Sequence, residues 1–346
     1  GAIGGGLTAL SAMSVSADEL TISTIEASQA VSLSPITSGT VGLISGATTS
    51  LTKGGLGQLN LTAANTYGGN TTINSGVLKL AGASSLNLGH YAGNIAMASG
   101  ATLLQSSSVD HELSGVISGA GNFIKDTSSS VLILSGNNTF TGSVTINKGS
   151  VYVQHDNGLG AVSGGVTLAN GTVLDLQNVS VGAESINLNG GTLKTSTGTS
   201  SLAGNVNLGS ASTFDVAGTG FTLSGTITDN NHGLSIRGPG TFVLSNPSNA
   251  ISTIATLSSV GSLNLKNSVD LSVGSIQSVG DVTISNTGYL TLAAGQSIAS
   301  SSGNIVLSGA KFFNAAGVNA LTVASGKYWQ VWSANPTPLA TVANGG

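Results

Sequence analysis

The chain contains no cysteine. A disulfide framework, a thiolate metal site and a thiol nucleophile are therefore excluded, and a chain exported unfolded through an oxidising space would suit this composition. Charge is almost as scarce: 6% of residues are Asp, Glu, Lys or Arg, against about 25% in an average soluble domain. Nine Lys and Arg face thirteen Asp and Glu, a formal charge of −4. No basic cluster interrupts this thin scatter, which argues against recognition of a phosphate backbone and against nucleic acid as a partner. Aromatics make up only 4%. Long apolar runs are missing too: the longest aliphatic stretch is Val131-Leu132-Ile133-Leu134, far short of the roughly 18 residues of a membrane helix. The opening GAIGGGLTALSAMS lacks the basic start of a secretory signal, the first lysine being Lys53, so the chain reads as an internal piece of something longer. Disorder is not expected, because 40% of the residues are hydrophobic whereas disordered chains are polar and highly charged.

What the sequence has in abundance is recurrence. LTAANTYGGNTTINSGVLKL at 61–80 returns without a gap as LSGNNTFTGSVTINKGSVYV at 134–153. The shared positions are Leu61/Leu134, Asn65/Asn138, Thr66/Thr139, Gly69/Gly142, Thr72/Thr145, Ile73/Ile146, Asn74/Asn147 and Gly76/Gly149, with Tyr67 replaced by Phe140. A unit too small to bury its own apolar face must stack on a copy of itself, so the repeat predicts an elongated object, with sandwiches, a propeller and a solenoid to be told apart by turn chemistry.

Short alternating triplets such as Val144-Thr145-Ile146, Val206-Asn207-Leu208, Leu263-Asn264-Leu265 and Leu290-Thr291-Leu292 fill most of the chain. Period-two alternation sends one side of each strand inward and the other outward. No stretch carries a 3.6-residue apolar period; the Ala- and Ser-rich residues 7–19 are the one weak helical candidate, with strand or loop at least as good a reading. Strands of three to five residues joined by irregular Gly-Ser-Asn-Thr clusters disfavour a sandwich, whose hairpins prefer two-residue turns. They fit an all-β, right-handed parallel β-helix. At roughly 20 to 25 residues per coil, about 14 to 17 coils spaced about 4.8 Å apart would make a rod on the order of 70 Å long. Lys79, Asp175 and Asp215, each flanked by apolar neighbours, are expected to face water, and Asn at equivalent corners is expected to stack in hydrogen-bonded ladders. Leu61, Ile73, Leu134 and Ile146 should face the core, and Gly69, Gly76, Gly142 and Gly149 should occupy turns.

The two copies of Leu-x-x-x-Asn-Thr-Tyr/Phe-x-Gly-x-x-Thr-Ile-Asn-x-Gly, at 61–76 and 134–149, resemble the passenger-associated transport repeat of Gram-negative autotransporters. The C-terminal part, from Gly280-Asp281-Val282-Thr283-Ile284 through Phe312-Phe313-Asn314 to Tyr328-Trp329-Gln330-Val331-Trp332, resembles large exoproteins of the filamentous haemagglutinin kind. Together these cover about half of the chain. The resemblance implies a right-handed β-helical passenger, secreted across the outer membrane and displayed at the cell surface. A degenerate third repeat is expected near 240–266, where Pro247 falls beside the corner and the Asn-Thr-aromatic-x-Gly core is missing. The expected layout is one continuous β-helix over 1–335, with transport-type repeats near 54–80 and 121–153, and a tail or linker over 336–346. Neither a secretion-domain start nor a membrane barrel is recognisable in this stretch, which leaves open whether export uses the chain's own barrel or a separate partner.

Because β-helices also carry polysaccharide lyases and hydrolases, the ionisable clusters need weighing. Asp110-His111-Glu112 is the densest and could supply an acid and a base. On a strand, however, Asp110 and Glu112 would share a face without His111, so a solvated turn is the expectation. His155-Asp156 and Asp229-Asn230-Asn231-His232 sit in Asn/Gly-rich stretches where local turn hydrogen bonds are common. There is no Gly-x-Ser-x-Gly elbow and no calcium-loop spacing. Gly4-Gly5-Gly6 and Lys53-Gly54-Gly55-Leu56-Gly57 lack the Gly-Lys-Ser/Thr ending of a phosphate loop, so a turn is expected. Both tryptophans fall in one segment with Tyr328, read as a cap near the end of the coil stack at 326–335, a sugar-stacking platform being the lesser alternative. Pro336 and Pro338 would then end β pairing.

No catalytic, cofactor-binding or metal-ligating residue is assigned, and no cofactor is expected. The functional expectation is a non-enzymatic, secreted or surface-exposed adhesin segment serving as a rigid stalk and attachment surface. Its partners would be host or bacterial surface glycans or proteins, with an outer-membrane secretion partner or barrel outside this stretch. A polysaccharide-processing β-helix and a self-associating biofilm or filament stalk are the alternatives.

Overall fold

The computed structural model describes residues 6–255 and 257–334, without the side chains of 6–10, 129 and 258. Gly4 and Gly5, as well as Pro336, Pro338 and the rest of the expected tail over 336–346, lie outside the described residues. The chain divides into two compact units, Gly1–Leu174 and Asp175–Gly346.

In the first unit, an extended run Gly6–Ser45 opens the sheet; residues 7–19 lie within it, so the helical alternative falls. Ala30–Leu33 of this run pair in parallel with Ser50–Lys53, and Ser38–Val41 with Gln58–Leu61. Each later strand stacks on one from the coil before. Leu59 lies beside Leu78, 19 residues on, and Leu78 beside Leu103, 25 residues on; in the second unit Val260 and Ser278 are 18 apart. Parallel pairing at this spacing is the signature of a β-solenoid and excludes a hairpin-built sandwich.

The second unit repeats the scheme with three short strands per coil. One side is an eight-stranded parallel sheet running from Ser180–Val181 to Trp329–Ser333. Its inward positions form a continuous aliphatic column of Leu202, Leu223, Leu244, Leu265, Ile284 and Leu307. All six are buried. Phe221 stacks on Phe242 at 5.8 Å between ring centroids, and Phe214 closes against Phe242 at 5.2 Å. Such columns arise because a period-two strand returns the same parity of side chain to the same side of every coil. Counted over both units there are about 14 coils, and the protein is a parallel β-solenoid.

The repeats explain themselves at this level. Leu61, Ile73, Leu134 and Ile146 are fully buried, as expected. Gly76 and Gly149 turn the chain with φ of +65° and +77°, a conformation that costs any residue with a Cβ. Gly69 and Gly142 are small for a different reason: a Cβ on Gly69 would lie 2.5 Å from the carbonyl oxygen of Thr49, and one on Gly142 would overlap that of Gly121.

Candidate functional site

Asn65 and Asn138 are buried, and each ties three coils together. Asn65 Oδ1 accepts the amide of Ile44 one coil earlier at 2.8 Å, while its Nδ2 donates to the carbonyl of Ser85 one coil later at 3.0 Å. Asn138 does the same between Ile117 (2.8 Å) and Gly158 (2.7 Å). Asn249 repeats the arrangement between Ile227 (2.8 Å) and Lys266 (2.9 Å). The degenerate stretch near 240–266 thus keeps the bracket, displaced by one residue relative to its leading leucine. An asparagine suits this place because one planar amide offers both an acceptor and two donors, so neither backbone group is left unpaired.

Tyr67 and its substitute Phe140 fill the same buried corner. The Tyr67 hydroxyl meets Thr71 Oγ1 at 2.9 Å, and Thr71 meets the Tyr91 hydroxyl at 2.7 Å. Where Phe140 replaces Tyr67, Val144 replaces Thr71. The hydroxyls disappear as a pair, which avoids a buried orphan. Burial raises the Tyr67 hydroxyl well above the ordinary tyrosine range and pushes Tyr91 up to about 12, so both remain protonated.

Several charged or titratable groups sit inside the columns. Lys53 stands between Leu33 and Ile73 and is wholly buried. Its ammonium donates to the carbonyls of Gly54, Gly55 and Ser75 at 2.6, 2.9 and 2.9 Å, using all three of its protons. The glycine-rich stretch after Lys53 is therefore the turn expected, with the lysine consumed from within. Lys125 stands between Gln105 and Ile146, also buried, and donates to the carbonyl of Thr127 and to Ser130 Oγ. Desolvation lowers both lysines to about 8.

The Asp110-His111-Glu112 cluster comes apart as strand alternation requires, but His111 is not in a solvated turn. It begins the strand His111–Leu113 and points into the core, beside Leu132. Its Nδ1–H donates to the Val109 carbonyl at 3.0 Å and its Nε2 accepts the Leu86 amide at 3.3 Å. Burial lowers its pKa below the ordinary 6.5, which favours this neutral form. Glu112 faces outward and accepts from Ser135 Oγ at 2.8 Å, with His90 Nδ1 at 3.3 Å on its other oxygen. These hydrogen bonds lower its pKa. The serine meets the carboxylate rather than the imidazole, so the serine–histidine contact of a hydrolytic triad is not formed here. Asp110 Oδ1 accepts the Val131 amide at 2.7 Å.

Asp175 corrects the outward expectation. It is buried and accepts from the Ser196 amide at 2.9 Å and Gln177 Nε2 at 3.1 Å. Lys79 and Asp215 do face outward, and Asp215 pairs with Arg237 at 3.0 Å on the next coil. Asp229, also buried, takes the Ser252 amide and hydroxyl, the Thr253 amide and the Asn231 amide, while Asn230 and Asn231 adopt positive φ. The Asn231 bond is the local turn chemistry expected of the stretch; the bonds from Ser252 and Thr253 come from the next coil and are additional to it. His155 likewise accepts the Asn157 amide in its own turn. Among the described residues, no group of three or more His, Asp or Glu converges as a metal site.

The aromatic segment at the C-terminal end covers the coil before it without being buried itself: Trp329 and Val331 register on Ile305 and Leu307, both buried. Tyr328, Trp329 and Trp332 are 52%, 39% and 61% exposed. Trp329–Ser333 is the last described strand and pairs with Ile305–Gly309.

No curated protein and no solved structure matches the chain. The family model of the passenger-associated transport repeat matches residues 51–80 and 127–153, each span covering a bracket asparagine, the buried aromatic of its corner and the glycines around it. The chain thus carries two passenger-associated transport repeats within a β-solenoid, and fits an autotransporter passenger with β-helical repeats.

Proposed function

We propose that this chain is a non-enzymatic stalk and attachment surface of a secreted or surface-displayed passenger. The observation that carries the reading is the pair of transport repeats at 51–80 and 127–153, folded as coils whose defining residues are spent on shape. Leu, Ile and Tyr/Phe fill the columns, Asn brackets neighbouring coils, and Gly admits the backbone beneath. The ionisable groups support it, since Lys53, Asp229 and Asp175 direct their charges into hydrogen bonds with the chain itself. A parallel ladder in which each coil templates the next also suits a chain that folds as it emerges outside the cell.

The test is attachment. Beads coated with the 346-residue chain are expected to adhere to epithelial monolayers or to bacterial lawns above the level of albumin-coated beads. Adhesion no greater than the albumin level on both surfaces would refute the attachment role.

A further inference from the structure

Trp329 and Trp332 are exposed for different reasons. In the eight-stranded sheet, Trp329 continues the inward column of Val282 and Ile305, and its exposure reflects its place on the last described coil. Trp332 continues the outward column of Lys266, Ser285 and Ser308. A further coil would cover Trp329 but not the outer face of Trp332, because parity is preserved from coil to coil. An outward indole exposed to 61% is left without a folding role.

The sheet face immediately below it carries no charge, and Lys311, next to Ala310 in the chain, stands over the Tyr289 ring at 5.7 Å. Over the last three coils the outward positions of this sheet are Thr283, Ser285, Val306, Ser308, Gln330 and Trp332. An open depression lies beside the ring, where Gly309, Ala310 and Ala334 leave space and Thr287, Ser308 and Ser333 bring hydroxyls to the rim. We propose that Trp332 is the stacking platform of a binding site for neutral glycans, deepening the attachment reading above and resting on it. A sugar ring presents an apolar face to an indole and hydroxyls at its edge, and a flat row of Ser, Thr and Gln side chains answers the second requirement. A protein partner would call for an apolar core around the aromatic anchor; here the neighbours are small or polar. An anionic glycan would call for cations, and the nearest in the column, Lys266, lies three coils below Trp332.

The test uses intrinsic fluorescence of the 346-residue chain carrying Trp329→Phe, so that Trp332 is the single reporter. Mannan, dextran, β-1,3-glucan, β-1,4-glucan oligosaccharides and galactan are titrated, with polygalacturonate as the anionic arm. At least one neutral glycan is expected to shift the Trp332 emission. In gel-retardation measurements, Trp332→Ala should lose at least tenfold in affinity for that glycan, Trp332→Tyr should retain most of it, and Leu56→Ala, at another exposed apolar residue, should leave it unchanged. Thermal unfolding of each variant separates loss of fold from loss of binding. Binding by polygalacturonate alone, no shift with any glycan, or equal retardation of Trp332→Ala and the parent would each overturn the proposal. Bead adhesion that survives in Trp332→Ala removes this site and leaves the attachment role standing; absent adhesion by the parent removes that role itself.

Discussion

Asn267 donates its side-chain amide to Oδ1 of Asn286 at 3.0 Å in the interior of the second unit. Both residues are buried, and they sit at register positions of adjacent coils. Asn267 Oδ1 in turn accepts the Ile251 amide at 2.8 Å, the same partner type that Asn65, Asn138 and Asn249 each take. The second unit therefore joins two buried amides at this corner, while Asn65 and Asn138 of the first unit act singly, each on backbone groups of the coils beside it.

Breaking one of these brackets should be costly. Asn138→Ala leaves the Ile117 amide and the Gly158 carbonyl unpaired in a buried setting, for which a loss of about 2–4 kcal/mol is expected. Denaturant unfolding of the variant against the parent measures it; a loss under about 0.5 kcal/mol would remove the bracket from the account of the repeat.

Tyr67 and Thr71 should behave as one unit. Thr71→Val alone strands the Tyr67 hydroxyl, whereas Tyr67→Phe with Thr71→Val reproduces the Phe140/Val144 pair of the second repeat. The double variant is expected to be more stable than Thr71→Val, with a coupling of roughly 1 kcal/mol. Strictly additive effects in a double-mutant cycle would contradict the shared hydrogen bond.

Two glycines separate two physical causes. Gly171→Ala places a Cβ in open space at φ +75°, so only the conformational cost of about 1 kcal/mol applies. Gly142→Ala meets the Gly121 carbonyl of the coil beneath and should cost more, about 2–3 kcal/mol. Melting temperatures in the reverse order would show that coil spacing is softer than the structure implies.

The buried lysines set an alkaline trend. With Lys53 and Lys125 near 8 in the folded chain and near 10.5 when unfolded, the unfolded state binds more protons between those values. Their contribution to stability therefore rises as pH rises through that window. The increase in denaturation midpoint from pH 7.5 to 9.5 is expected to shrink in a Lys53→Met/Lys125→Met variant; an unchanged increase would place the two amines in water.

His111 sets the opposite boundary. Its folded pKa lies below the ordinary 6.5, so its contribution is complete above about 6.5 and is lost as pH falls through the folded value. His111→Gln keeps an acceptor without the titration, and should lose less stability than the parent between pH 7 and 5. Equal acid sensitivity in both would assign the effect to other groups.

Much of this was legible without coordinates. The gapless return of 61–80 at 134–153 announced stacked coils, and the alternation of Val144-Thr145-Ile146 announced which side faces inward. Both follow from local chain geometry, which any sequence displays. Asp229 in its Asn-rich stretch was equally readable, since an Asx turn is closed by residues two apart. The bracket role of Asn65 was not, although the residue was visibly shared, because its partners Ile44 and Ser85 lie about one coil away in either direction and the step between coils varies from 18 to 25 residues.

The sequence by itself determined the class of fold, the parity of most strands and the turns at Gly76 and Gly149, because period-two pleating and positive φ are properties of neighbouring residues; the tight fits of Gly69 and Gly142 belong to the coil beneath. Only the tertiary structure decided that Lys53 and His111 turn inward, that Asp175 is covered on the outward side by Gln177 and Ser196, and that Trp332 turns outward. Those choices depend on whether the next coil supplies a carbonyl, an amide or nothing at the height of the side chain, and that register is set by long-range stacking rather than by the residues on either side.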